Sequence, residues 1–149
     1  MRFRFRFETI LGLRRNLEEL VQQKLARELM VLEKQQQRLE ELRRQRQNLI
    51  AEFEEKKHRL LAAPLFSFYM DAIGVREREI VAGRLLVENQ QQLVLQIRRE
   101  LTEKVRERKV LEKTRERDRQ RFLQEQLQEE QMEADEQMVL RFGRQENLQ

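Results

Sequence analysis

The sequence predicts an all-α protein: two long helices forming an antiparallel coiled-coil hairpin. Three observations carry that prediction. Charged residues make up 39% of the 149-residue chain, with only four glycines, one proline, no cysteine and no tryptophan. Leu, Glu, Arg and Gln dominate, straight-chain residues that lose little rotamer freedom in a helix. Apolar residues recur every seven positions over most of the length, and the single proline stands near the middle. A compact globular domain of this size draws on more apolar residues and more Gly/Pro turns, so the core here is a narrow seam within one domain, residues 1–149.

The chain opens with Met1-Arg2-Phe3-Arg4-Phe5-Arg6-Phe7. Its period of two suggests a strand or an extended arm, although Phe3 and Phe7 would share a face on a helix. Cationic aromatic segments sit well in membrane interfaces, but seven residues anchor weakly. Docking of the arm on the hairpin's own end or on a partner is the favoured reading.

Helix one is expected over about 8–61. Leu25, Leu32, Leu39, Phe53 and Leu60 fall on one seven-residue ladder, with Arg46 its polar exception. The interleaved ladder carries Val21, Leu42 and Leu49 but also Glu28, Gln35 and Lys56, while Leu29 and Ile50 widen the stripe. A heptad sustained this far implies left-handed supercoiling around a partner helix. Polar seam residues such as Gln35, Arg46 and Arg108 lower stability while fixing register.

A bend is expected at about 62–68, because Pro64 has no N–H and its ring clashes with a preceding helical turn. The residue before it is also pushed toward extended geometry, and Ser67 is the candidate N-cap of helix two. Helix two then spans about 69–142. Its ladder runs through Ile73, Ile80, Val87, Val94 and Leu101, joined by Ile97, Val105 and Leu111. The ladder weakens where Arg108 and Arg115 take seam positions, then resumes at Phe122, Leu127 and Met132.

At ~1.5 Å per residue the two helices are rods of about 80 and 110 Å. Helices so polar need a partner for the apolar stripe. A short break between matched stripes makes a hairpin folded about residue 65, in which position i faces about 130 − i. The overhang past residue 122 is then unpaired, acidic and mobile. An open chain dimerising in trans is the structural alternative.

Net charge is +4, unevenly spread. Residues 98–121 carry eleven Lys/Arg against six acids, whereas residues 122–149 carry two Arg against seven acids. Such asymmetry points to distinct contact surfaces. With no cysteine, a disulfide framework and a thiolate metal site are excluded, and a reducing compartment is suggested. No apolar run approaches the ~20 residues that cross a bilayer, and no apolar h-region follows the basic start. The expectation is a soluble chain that stays where it is made.

No catalytic constellation is visible. His58, the one histidine, stands beside Lys56, Lys57 and Arg59 and reads as a surface residue. Ser67 is the one serine, and no base stands beside it to activate a nucleophile. Gly12, Gly74, Gly83 and Gly143 are isolated, so no phosphate-cradling loop exists. Carboxylates lie on open helix faces that do not exclude water. The chain is expected to be no enzyme and to need no cofactor or metal.

The stretch Arg106 to Arg117 and a pI near 9.7 invite a nucleic-acid reading. Opposite charges four apart, Glu100–Lys104, Arg99–Glu103 and Arg108–Glu112, neutralise that face, and no aromatics interleave for base stacking apart from Phe122 at the edge. A solvated face or a protein-docking surface is preferred. At the bend, Leu65, Phe66, Phe68, Tyr69, Met70 and Ile73 are dense for so polar a chain. Two readings stand side by side: a hairpin cap packed on Leu60 and Leu61, or a partner site of exposed aromatics.

Three features together resemble a known family. They are Phe3-x-Phe5-x-Phe7-Glu8 with Leu11 and Arg14-Arg15; the Pro-marked bend; and Arg108-Lys109-x-Leu111-Glu112-Lys113-x-Arg115-Glu116-Arg117 feeding an acidic tail with Asp135-Glu136. Over essentially the full length the chain resembles the FliJ family of bacterial flagellar protein export. The resemblance implies an antiparallel coiled coil similar to the central stalk of rotary ATPases. It also implies a non-enzymatic accessory protein that associates with the hexameric flagellar export ATPase, promotes its assembly and activity, contacts the membrane export gate and handles export chaperones. A cytoplasmic protein held peripherally at the inner-membrane export apparatus follows, with no nucleic acid bound and no direct membrane insertion. Carried onto this sequence, Arg108, Lys109, Glu112, Lys113, Arg115, Glu116 and Arg117 are candidates for ATPase binding. Phe66, Tyr69, Ile73 and Ile80 are candidates for gate contact. The rival classes are a generic structural coiled-coil scaffold and a basic nucleic-acid-binding helical rod.

Overall fold

The computed structural model describes residues 2–59 and 62–147. Helix α1 runs Glu8–Lys57 and helix α2 runs Ala63–Asn147, packed against each other with no strand among the described residues. The all-α, two-helix architecture expected from the heptads is the one observed.

Local chemistry sets the helix ends. Phe7 supplies the carbonyl that accepts from Leu11 N–H at 2.9 Å and opens α1. Glu8 lies in its first turn and Lys56 and Lys57 in its last, each of the sign the helix dipole favours. The expected end of helix one, residue 61, lies outside the described residues, but α1 already closes at Lys57.

The start of α2 corrects the expected bend. Helix two begins at Ala63, six residues before the expected start, and Pro64 sits in its first turn. An N–H in that turn has no intrahelical acceptor, so proline loses nothing there and its fixed φ suits helix entry. Ala62 provides the first acceptor, taking bonds from Leu65 N–H at 3.0 Å and Phe66 N–H at 3.1 Å. Ser67 is therefore interior to α2 and is no N-cap. At the other end α2 stays helical through Asn147, five residues past its expected end and across the segment expected to be mobile.

The earlier start of α2 moves the register. Glu28 meets Gln90, Arg46 meets Glu77, and Phe53 meets Phe66. The numbers of these partners sum to 118–123, and those of Glu18 and Arg108 to 126, all below the expected 130, because α2 begins earlier than expected.

Contacts divide the chain into two compact units, residues 19–102 and residues 1–18 with 103–149. In the first, Leu39, Leu42 and Ile80 form a buried cluster with Val87 packed against it. Each such side chain contributes about 1.5–3 kcal/mol on burial. Gly83 lies on the seam: a Cβ there would meet Leu39 Cδ1 at 3.3 Å. Polar layers interrupt this unit. Gln90 Nε2 donates to the Glu28 carboxylate at 2.6 Å and to the Glu28 carbonyl at 3.0 Å. Arg46 donates through Nε and Nη2 to one Glu77 oxygen, both at 3.2 Å. In the second unit Leu11 is fully buried, Phe5 is nearly so, and Phe3 lies against Phe122 with ring centroids 5.6 Å apart. The Arg-Phe arm thus packs on its own helical unit. Its phenylalanines face inward while Arg2, Arg4 and Arg6 are exposed.

Candidate partner-binding site

The Arg108–Arg117 segment of α2 lies in the unit formed by residues 1–18 and 103–149, where it runs beside the start of α1. Six of its seven candidate residues fall into two groups. Arg108 is turned inward: its Nε and Nη2 donate to the two oxygens of Glu18, the latter at 3.3 Å, and its Nη1 donates to Glu112 at 2.9 Å. Glu112 also accepts from Arg15 at 3.4 Å, and Arg115 Nε donates to Glu8 at 3.0 Å. One residue before Arg108, Glu107 pairs with Arg14. These residues hold α2 to α1 and are not free for a partner.

The electrostatics agree with that division. The hydrogen bond to Glu18 and then that to Glu112 raise the Arg108 pKa further above its ordinary value, against burial. For Glu112, burial pushes the carboxyl up, but the bonds from Arg108 and Arg15 outweigh it and leave the pKa below the usual glutamate value.

Lys109, Lys113 and Arg117 form the second group. All three are exposed, and none makes an ion pair among the described residues. Spaced four apart, they fall along one outward face of α2. Arg121, one further step of four, continues the row and is likewise exposed and unpaired among the described residues. Glu116 stands apart from both groups, paired with Arg119 at 3.4 Å.

Of the three ion pairs expected to neutralise this face, only Arg108–Glu112 forms. Lys104 turns to Glu107 at 3.8 Å instead of Glu100, and Glu103 pairs with Arg106 at 3.1 Å instead of Arg99. Both alternatives are i,i+3 neighbours, which a helix brings as close as i,i+4.

Glu18 is the residue that sequence reasoning missed. It is 7% exposed and is the buried carboxylate that receives Arg108. Leu11, Glu18 and Leu25 are spaced by seven, so extending the Leu25 ladder backward would have placed an acid on the seam opposite the polar positions of α2.

The four gate candidates are not a single surface. Tyr69 is 3% and Ile80 5% exposed, Ile73 is half-buried, and only Phe66 is open, at 46%. Tyr69 is fixed from three sides: Lys56 Nζ donates to its hydroxyl at 2.7 Å, the hydroxyl reaches Glu52 at 3.5 Å, and the Phe53 ring lies tilted against it with centroids 6.0 Å apart. Tyr69 and Ile80 spend their surface on α1. The exposed apolar residues at this turn are Leu65, Phe66, Phe68 and Met70. The alternative packing of this cluster on Leu60 and Leu61 lies outside the described residues.

Beyond Phe122, Leu127 and Met132 were expected to resume the seam. They are 64% and 65% exposed, because the arm that pairs with α2 has reached Phe3 opposite Phe122. One open cleft of about 440 Å³, lined by Arg43, Arg46, Glu77 and Ile80, lies on the helix surface. No group of three or more His, Asp or Glu placed to hold a metal exists among the described residues. No described helix is long and apolar enough to cross a membrane.

Fold and site together define a two-helix coiled-coil protein whose chemistry is carried by charged helix faces rather than by an enclosed site. A family model described as Flagellar FliJ protein matches residues 3–147, and the chain belongs to the FliJ family. Membership makes it an accessory protein of flagellar protein export, in a family that is not enzymatic. No curated protein and no solved structure matches it.

Proposed function

We propose that this protein binds the hexameric flagellar export ATPase through the unit containing Arg108–Arg117, and promotes its assembly and activity. The carrying observation is the division of that segment into seam and surface. Arg108, Glu112 and Arg115 secure α2 to α1, leaving Lys109, Lys113 and Arg117 as an exposed cationic row. A rigid helix pair carrying unneutralised cations on its outer face suits a partner surface lined with acids, where complementarity governs specificity and association rate. Connection to the export gate and to export chaperones, and a cytoplasmic position held peripherally at the inner membrane, belong to the same reading. Of the gate candidates Phe66 alone presents surface, so a contact at the turn engages Phe66 with its exposed neighbours.

The test is the hydrolysis rate of a purified flagellar export ATPase titrated with this protein. A saturable rise is expected. Lys113→Glu with Arg117→Glu should abolish most of it at unchanged helicity, because neither residue takes part in the seam. Full stimulation by the doubly reversed variant would overturn the site; no stimulation by the native chain would overturn the role.

A further inference from the structure

Residues 60–70 are the longest stretch without a charge in a chain that is 39% charged. The described part, 62–70, forms the turn's end and the first two turns of α2. Leu65, Phe66, Phe68 and Met70 are 40–60% exposed there. An uncharged, aromatic stretch is not what a water-facing turn of such a polar chain requires, and contiguous exposed apolar surface marks a contact site.

The surroundings say what the contact is. Lys57, His58 and Arg59 stand immediately before this stretch and are exposed, whereas acids flank it only at Glu55 and Asp71. Arg59 reaches Glu55 only at 3.9 Å with both side chains largely solvated, so the guanidinium remains available. Lys56 is committed to Tyr69 and Lys57 extends over the Phe53 ring at 5.8 Å. The two exposed rings rest edge-on against buried ones, Phe66 on Phe53 at 5.3 Å and Phe68 on Tyr69 at 5.7 Å. These contacts anchor Phe66 and Phe68 to the helix pair, and Leu65 and Met70 are exposed beside them.

From this arrangement we propose that the turn end adsorbs to an anionic lipid surface. Phe66, Phe68, Leu65 and Met70 sink to the level of the headgroups, and Lys57 and Arg59 snorkel to the phosphates. The side chains are large and apolar over Leu65–Met70, suited to the apolar side of the headgroup boundary, and cationic at Lys57 and Arg59 just before them in the chain, suited to the phosphates. The contact is shallow and reversible, distinct from insertion across the bilayer, for which no described helix is apolar enough. It does not depend on ATPase binding, which engages the other unit.

The chain has no tryptophan, so Phe68→Trp in the full-length protein places a single reporter in the patch. Mixed with phosphatidylethanolamine–phosphatidylglycerol vesicles it should show a blue-shifted emission that added salt reverses, and no shift with phosphatidylcholine alone. In flotation with the same vesicles, Leu65→Gln with Phe68→Gln should weaken binding by about tenfold or more, and Lys57→Glu with Arg59→Glu should remove the preference for anionic lipid. Both pairs are exposed, so circular dichroism should be unchanged. Absence of binding to the anionic vesicles overturns the proposal, as does binding lost only when Arg2, Arg4 and Arg6 are replaced, which would assign lipid contact to the arm. Retention of the turn by the solubilised gate protein without any vesicle binding would overturn it in favour of a protein contact.

Discussion

Arg108 donates two hydrogen bonds to Glu18 on the seam, and the carboxylate is nearly removed from water. Removing the cation would leave that buried acid without its donor, whereas removing both leaves only a gap. Arg108→Ala should therefore lower stability by about 2 kcal/mol, read from urea unfolding followed by circular dichroism. Glu18→Ala/Arg108→Ala should cost less than the sum of the single changes; additivity would show that the two groups do not interact. Glu112 gives a pH-dependent counterpart. Its pKa is depressed on folding by Arg108 and Arg15. A depressed carboxyl stabilises the fold above its unfolded pKa, and that contribution is lost as pH falls through the lower folded value. The thermal midpoint of the native chain should exceed that of Glu112→Gln at neutral pH, and the difference should shrink below about pH 4.5. A gap that persists at low pH would assign the effect to packing.

At the scale of the helix, the entry to α2 makes two substitutions informative. Ser67 lies inside the helix, so Ser67→Ala should change stability by less than about 0.5 kcal/mol. A cap residue would cost roughly 1 kcal/mol, and a loss of that size in a thermal melt would return the helix start to the serine. Gly83 is helical and faces the side-chain end of Leu39 at the distance a methyl group would fill. Alanine there gains up to about 1 kcal/mol in helix propensity and asks a methyl of Leu39 to shift slightly. A larger residue cannot be accommodated in this way. Gly83→Leu should destabilise the Leu39–Leu42–Ile80 cluster by about 1–3 kcal/mol, measured as a fall in the urea midpoint; an unchanged midpoint would show the seam there to be open.

For the molecule as a whole, the pairing of α1 with α2 within one chain is the feature on which both proposed surfaces rest. The native sequence contains no cysteine, which permits a clean test. Glu28→Cys with Gln90→Cys replaces two residues whose side chains meet at 2.6 Å. A short bis-maleimide should join them within a monomer, with faster migration on a denaturing gel at all protein concentrations. Covalent dimers that increase with concentration would show pairing in trans.

Much of this was legible in the residues. The heptad ladders indicated two helices, their apolar faces and an antiparallel hairpin. The Arg-Phe opening, the Pro-marked bend and the Arg108–Arg117 run feeding an acidic tail carried the likeness to the FliJ family, which the match over residues 3–147 supports. Periodicity states which face of a helix is apolar, but sliding one helix along the other by a heptad leaves that face unchanged. Register therefore depended on where the turn closed, and Pro64, read as a breaker, proved compatible with the first helical turn. From that shift follow the pairing of Glu18 with Arg108, the burial of Tyr69 and Ile80, and the exposure of Lys109, Lys113 and Arg117. Composition and spacing determined the helices and their seam; tertiary structure alone decided which charges the seam consumes and which remain for a partner, because that choice is made between residues some ninety positions apart.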